Sequence, residues 1–479
     1  MIELVTRRFP LFIIGYFILQ ILIRLATTNI AVLDESEQIM LSQYFSLGYN
    51  EQPPLYTWMQ MGVFQLTGIS IFGLSLLKNA LLCLTYLFTY KLGMLFTEDK
   101  LKSSLSTLSL FLFPQMMWDA QIDQTHTVFL TMATSMTVYL FFYIAKKEKV
   151  SWWHFAFFGI SAGVGLLSKY NFILVLVALG GIALLIPEYR KRFYTKSLFL
   201  SIAISFCMVL PHFLWFISHL DVATHRTVER MSAGHTKSPM INFLKGSGDL
   251  FISTVVSILA FLLLFIFSFK KGFSWQISRE TKALIGYIVI IFAFLFVMVA
   301  ISGTTHIKER WLQPYLVLVP LFFFLHVTYI DEKLMRRFVW IALAAPVIVA
   351  LVVLVRPWLI DMRGKPSRTN YPFDQIRSEM KEKLPNLKKS LIYAEDKYLG
   401  GNLKLFLHHA TVITPSLPNQ PYELGKDVVL FWESEKPIVF IESLTDQGYT
   451  CKEFVQTIAF QKSKKLFYDL NIMQCRLGE

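Results

Sequence analysis

Long apolar blocks separated by short polar connections repeat from the N-terminus to Val355, after which the pattern changes. Many blocks reach the roughly 20 residues that span a hydrocarbon core. The pattern predicts a polytopic α-helical membrane protein of about eleven spans, with ten to thirteen as the range. The spans are expected near Phe9–Ile23, Phe72–Phe96, Leu101–Met117, Thr125–Ala145, Trp152–Leu167 and Tyr170–Pro187. The others fall near Lys196–His219, Leu244–Phe269, Thr281–Ile301, Trp311–Tyr329 and Arg337–Val355. The first block has no small-residue cleavage site and runs into a long chain, so it reads as a span rather than a removable signal.

The polar connections alternate in character. Arg7 and Arg8, Lys100 with Lys102, Lys146-Lys147-Glu148-Lys149, Arg190-Lys191-Arg192, Lys270-Lys271 with Arg279, and Lys333 with Arg336-Arg337 are basic. Cytoplasmic loops carry such an excess of Lys and Arg. One orientation therefore satisfies every connection, with the N-terminus cytoplasmic. An odd number of spans then places everything after Arg356 on the outer side of what we read as a bacterial inner membrane.

That tail is charged, enters through Pro357, Pro366 and Pro372, and alternates strand-like with helix-like segments. Leu391–Ala394, Thr411–Ile413, Val428–Phe431 and Ile438–Ile441 are expected as short strands. The division is thus a transmembrane domain over 1–356 and a soluble periplasmic α/β domain over 357–479. Cys451 and Cys475 both fall in the tail, where an oxidising compartment leaves a disulfide and two free thiols as open readings. Cys83 and Cys207 lie inside apolar blocks and read as plain core thiols.

Composition agrees. Hydrophobic residues make up 54% of the 479 and charged ones 16%, well below the quarter usual in soluble domains. The formal charge of +13 invites a nucleic-acid reading, but the basic residues sit in orientation clusters between apolar blocks, so no nucleic-acid partner is expected.

The other set of connections carries the unusual polar residues. After the first span come Leu33-Asp34-Glu35-Ser36-Glu37-Gln38 and then Gly48-Tyr49-Asn50-Glu51-Gln52-Pro53-Pro54-Leu55-Tyr56-Thr57-Trp58. The bland reading is a solvated helix start, capped by Asp34 with Glu37 three residues on. Against it, the amphipathic stretch that follows should lie in the membrane interface as helices of the first outer loop. A carboxylate there, at Asp34, Glu35 or Glu37, is placed to accept a proton from a hydroxyl. Next, Asp119 and Asp123 share a helical face, with His126 three residues on. This set can contact an acceptor, hold a divalent metal ion or simply cap the next span. Lys169 stands alone between two apolar blocks, as a functional cation or a snorkelling helix end. Arg226 with Arg230, and Lys308 with Arg310, occupy two further outer connections. Together these cations suit an anionic lipid headgroup, although any one arginine can serve membrane lipids generally.

These residues resemble the GT-C glycosyltransferases, in the bacterial clan of protein mannosyltransferases and the lipid A aminoarabinose transferase. The likeness rests on Asp34-Glu35, Gln52-Pro53-Pro54-Leu55-Tyr56, Asp123, Lys169 and Glu309-Arg310-Trp311-Leu312-Gln313-Pro314, with Ala394 to Leu403 in the tail. It is nearest to members that decorate lipid A or lipopolysaccharide core with galacturonic acid or an aminosugar. The resemblance implies a polyprenyl-phosphate sugar donor, a lipid or glycolipid acceptor, and a base at Asp34 or Glu35. It also implies donor-phosphate contacts at Lys169 and Arg310, and leaves a metal ion at Asp119, Asp123 and His126 open. Tyr170 departs from the glycine that often follows the matching lysine.

The expected activity is an inverting sugar transfer from polyprenyl phosphate to lipid A or lipopolysaccharide core on the periplasmic face. A protein O-mannosyltransferase-like enzyme is the alternative within the class. A lipid-linked sugar flippase is the alternative outside it, and would carry inverted repeats and mid-membrane charges that this sequence lacks.

Overall fold

The computed structural model describes residues 2–478 except 233, 235, 237, 385, 386, 388, 389, 418 and 419, and the side chains of 2, 226–228, 230, 232 and 381 are likewise outside the described set. The chain forms two compact units: one from 1–19, 50–56 and 78–349, the other from 20–49, 57–77 and 350–479.

The first unit is helical. Among the described residues, seven helices are long and apolar enough to cross a membrane: Phe9–Thr27, Ile71–Thr97, His126–Lys146, Lys196–Ser218, Pro239–Gly272, Arg279–Ser302 and Glu332–Arg363. An eighth is added if Tyr170–Leu185 and Pro187–Phe193, bent by 113°, count as one span. The other expected spans are short or broken. Leu101–Met117 becomes the helix Lys100–Leu108, a tight turn Ser109–Leu112 and a wide turn Gln115–Asp119 after Pro114. Trp152–Leu166 is a helix of 15 residues. The block from Trp311 divides into Glu309–Leu316 and Val319–Leu325, with Pro320 opening the second piece.

Glycines let the helices approach. A Cβ on Gly159 would meet the Ser201 carbonyl oxygen at 2.6 Å, and one on Gly246 would meet Thr304 O at 2.0 Å. Small residues at such crossings replace the hydrophobic drive that lipid cannot supply.

The basic connections of this unit meet one another. Lys146 pairs with Glu280 at 2.9 Å, Arg279 with Glu188 at 3.2 Å, and Arg192 donates to Lys147 O at 2.7 Å. Glu3, Arg7, Asp99, Lys100, Glu332 and Arg336 line one shared cleft. The connections expected on one side of the membrane thus meet in two groups, one joining those near 147, 190 and 280 and the other those near 7, 100 and 336.

In the second unit a five-stranded sheet has the order β2-β1-β3-β5-β4. Its strands are β1 (Leu391–Ala394), β2 (Thr411–Ile413), β3 (Asp427–Trp432), β4 (Tyr449–Ala459) and β5 (Phe467–Leu477). β1 runs parallel to β2 and β3, whereas β5 is antiparallel to β3 and β4. One expected strand is a correction: Ile438–Asp446 is a helix. Phe440, Ile441 and Leu444 pack on the sheet at helical spacing, whereas Ile438 and Val439 stay exposed. A run of four apolar residues is compatible with either period, and three-residue contacts decided it. Cys451 and Cys475 stand opposite each other on β4 and β5 and are disulfide-bonded.

The other face of the sheet is covered by helices Phe373–Lys383 and Lys397–Phe406. The same core takes Ile30, Met40, Leu41 and Tyr49 from the first loop. Helix Leu33–Leu41 packs along Lys397–Phe406, so the carboxylate-rich loop and the tail fold as one body.

Candidate active site

In the second unit, helix Leu33–Leu41 begins one residue before the expected cap, with Val32 at its N-cap position. Capping therefore falls to Glu35, whose carboxylate accepts the Val32 N–H at 3.2 Å. Arg24 also donates to Glu35 at 2.7 Å and to the carbonyls of Thr28 and Ile30. Both side chains of this ion pair are largely buried. Glu37 pairs with Lys397 at 2.9 Å. Glu35 and Glu37 are each paired with a cation, and Asp34, which precedes them in the first turn, is partly buried.

In the first unit, a cavity of about 210 Å³ is walled by Glu51, Gln52, Lys169, Tyr170, Asn171 and Trp311 among others. Asn50 accepts the Gln52 N–H at 3.0 Å just before Pro53-Pro54. Tyr56 then packs its ring 5.4 Å from that of His126. Lys169 follows the short helix Trp152–Leu166 in extended backbone, and its ammonium donates to Thr127 Oγ1 at 3.1 Å. Gly165 is required here, because a Cβ would fall 2.2 Å from the Phe172 ring. Tyr170 stacks on His212 and its hydroxyl lies 3.2 Å from His212 Nε2. Glu51 is buried, and the amide oxygens of Gln52 and Asn171 are buried without a hydrogen bond from any described residue. Buried polar atoms are normally satisfied. These polar groups stand in a mostly apolar wall, with Leu174, Leu295, Met298, Ile307 and Leu312, so the cavity suits a ligand that joins a charged group to an apolar chain.

Helix Glu309–Leu316 completes the wall through Trp311, and Tyr315 donates to Asn171 O at 3.0 Å. Its Arg310 acts electrostatically on Asp119. Burial pushes the Asp119 carboxyl above the usual carboxylate range, Arg310 pulls it down, and Glu309 and Asp123 raise it further. Lys308 precedes this helix and is partly buried. The side chains of Arg226 and Arg230 lie outside the described residues.

His126 Nδ1 lies 3.4 Å from Ser168 O, and the Asp123 N–H closes a turn onto Asp119 O. Among the described residues no three His, Cys, Asp or Glu side chains gather to hold a metal ion.

Glu51, Gln52 and Asn171 were not singled out by the sequence as site residues, since nothing local distinguishes them from loop polars. Lys78 was also missed. It is buried inside the helix Ile71–Thr97 and donates to Gln121 O at 3.0 Å, fastening the Asp119–Asp123 turn. Its signal was a lone lysine within an apolar block.

A family profile described as dolichyl-phosphate-mannose-protein mannosyltransferase matches residues 51–215, the stretch that holds Glu51, Lys169 and His212. The lipopolysaccharide core galacturonosyltransferase RgtA of Rhizobium johnstonii is 30% identical over 96% of this chain and 94% of its own length. The chain belongs to the GT-C glycosyltransferases. RgtB of the same organism, of the same description, is 31% identical over 87% of this chain and 85% of its own length. The crystal structure of ArnT from Cupriavidus metallidurans bound to undecaprenyl phosphate shares the fold, with a TM-score of 0.56 over 98% of each chain at 12% identity. As a GT-C glycosyltransferase, this multi-pass membrane enzyme has a cavity lined in part by Lys169 and Glu51, and a loop helix that bears Asp34.

Proposed function

We propose that this enzyme transfers a uronic acid, galacturonic acid by its relatives, from a polyprenyl-phosphate carrier to lipopolysaccharide core or lipid A. The observation that carries the reading is the 30% identity to a lipopolysaccharide core galacturonosyltransferase along 96% of the chain. The transfer takes place on the periplasmic face of the inner membrane, with eleven crossings, the N-terminus cytoplasmic and the tail domain outside. The meeting of basic connections with one another, in two groups, supports that alternation. Helices of the first loop lie in the interface.

The chemistry needs no nucleotide. An acceptor hydroxyl attacks the anomeric carbon as the bond from that carbon to the phosphate oxygen breaks, inverting the centre through an oxocarbenium-like transition state. Polyprenyl phosphate leaves with the bonding pair. Lys169, in the cavity wall, stabilises that developing charge, with Arg310, Lys308 and Arg226 as further cations toward the phosphate. Asp34 accepts the hydroxyl proton. Glu35 is assigned to holding the helix, because its carboxylate is already bonded to Arg24 and to the Val32 N–H.

Mass spectrometry of lipid A and core from cells with and without the protein tests this reading. Loss of a hexuronate from core or lipid A is expected. Loss of a hexosamine or pentosamine instead would change the donor, and no change in either lipid would overturn the acceptor.

A further inference from the structure

The tail segment Ala394 to Leu403 takes no part in that chemistry, yet it is fitted closely to the helix that carries Asp34. Helix Lys397–Phe406 approaches Leu33–Leu41 so nearly that a Cβ on Gly401 would sit 2.4 Å from Ser36 O and 2.6 Å from its Cα. Asn402 is fully buried, and its amide is used on both sides. Its Oδ1 accepts the Ala31 N–H at 2.9 Å, and its Nδ2 lies 3.0 Å from Ala31 O and 3.2 Å from Ser36 Oγ. Lys397 pairs with Glu37 one turn further along. Gln43 ends the loop helix region with a two-way amide pair: it donates to Val412 O at 2.9 Å and accepts the Val412 N–H at 3.1 Å, extending the edge of β2.

Adhesion alone does not call for this. Met40, Leu41, Leu399 and Leu403 already share one core, and apolar burial is non-directional. A buried asparagine instead fixes register, at a cost in stability relative to an apolar residue. Three directional contacts spread over residues 31 to 43 hold the helix against sliding and turning. Such control matters where one side chain must meet a reacting atom.

We propose that Asn402, supported by Lys397 and Gln43, is a positioning residue: the tail domain fixes the register of helix Leu33–Leu41 and so places the Asp34 carboxylate for transfer. The proposal rests on the reading of Asp34 as base.

The test uses the full-length enzyme in detergent with polyprenyl-phosphate galacturonate and purified lipopolysaccharide core. Asn402→Ala is expected to lower kcat about 100-fold, the effect of a misplacement of about 1 Å, with donor KM unchanged. Because that variant loses buried hydrogen bonds and can fail to fold, the charge reversals Lys397→Glu and Glu37→Lys are measured singly and together. Each single reversal lowers kcat about tenfold and the double restores it. In Asn402→Ala, which changes no charge, the pH dependence of kcat keeps the shape it has in the unmodified enzyme, since the base is displaced rather than altered. Asp34→Asn lowers kcat by about 10²–10⁴. Unmodified kcat in folded Asn402→Ala and in Lys397→Glu, beside an inactive Asp34→Asn, would overturn the positioning role alone. So would losses that merely track the amount of folded protein, or a double reversal that fails to recover. A fully active Asp34→Asn would overturn the base assignment, and this proposal with it.

Discussion

Neighbouring carboxylates of one short helix carry different duties, and their partners decide which. Glu35 is inaccessible and bonded to Arg24, so replacing it by glutamine leaves a guanidinium buried against carbonyls without its counter-charge. Breaking such a pair costs about 3 kcal/mol or more. Glu35→Gln should therefore lower the unfolding temperature of the purified enzyme and reduce its yield. Asp34→Asn should leave both unchanged and lower kcat by about 10²–10⁴, the usual contribution of a general base. Thermal unfolding and turnover on the two purified variants separate these duties. The reverse pattern, with Glu35→Gln stable and inactive and Asp34→Asn merely unstable, would exchange the assignments. Sequence alone located the cluster but ranked its members by position. Arg24, which distinguishes them, is eleven residues away inside an apolar block, and only folding brings it to Glu35.

At the scale of elements, the apolar blocks were legible because composition reports the solvent each segment meets. Where blocks break was less legible. Pro114 and Pro320 open new turns within segments whose composition reads as continuous span, and Ile438–Ile441 took the helical period although four apolar residues allow either. The cavity was least legible, because Glu51 and Lys169 are far apart in sequence and no local pattern marks them as neighbours. Close crossings also leave a trace only as glycines. Gly159 faces the Ser201 backbone, whose carbonyl oxygen and Cα would lie 2.6 and 2.7 Å from an added Cβ. Backbone cannot rotate aside as a side chain can. Gly159→Ala should therefore separate helix Trp152–Leu166 from Lys196–Ser218 and destabilise the protein by about 1–3 kcal/mol, the range for overpacked cores. A falling unfolding temperature in detergent checks it. An unchanged temperature would mean that this crossing relaxes without loss.

At the scale of the molecule, the proposed sidedness of the chain can be tested through its thiols. Cys451 and Cys475 face each other across β4 and β5 and are bonded, whereas Cys83 and Cys207 are free. Disulfides persist in the periplasm and are rare in the reducing cytosol, so the bond ties the orientation argued from basic loops to a chemical observable. The two arguments are independent: one counts lysines and arginines between spans, the other follows the redox state of a domain beyond the last span. Protein taken from growing cells, denatured and alkylated with a mass tag, should carry tags only on Cys83 and Cys207 until a reductant is added. Tags on all the cysteines without reductant would place the tail in a reducing compartment, and with it helix Leu33–Leu41, which shares its core. The bond also has a stability role, since it joins residues 24 apart and should contribute about 3 kcal/mol. Cys475→Ser, which leaves a lone thiol at Cys451, should then unfold the tail domain earlier while the helical unit melts as before. Because Asp34 rides on that domain, its activity should fall at the lower temperature, ahead of any change in the bundle.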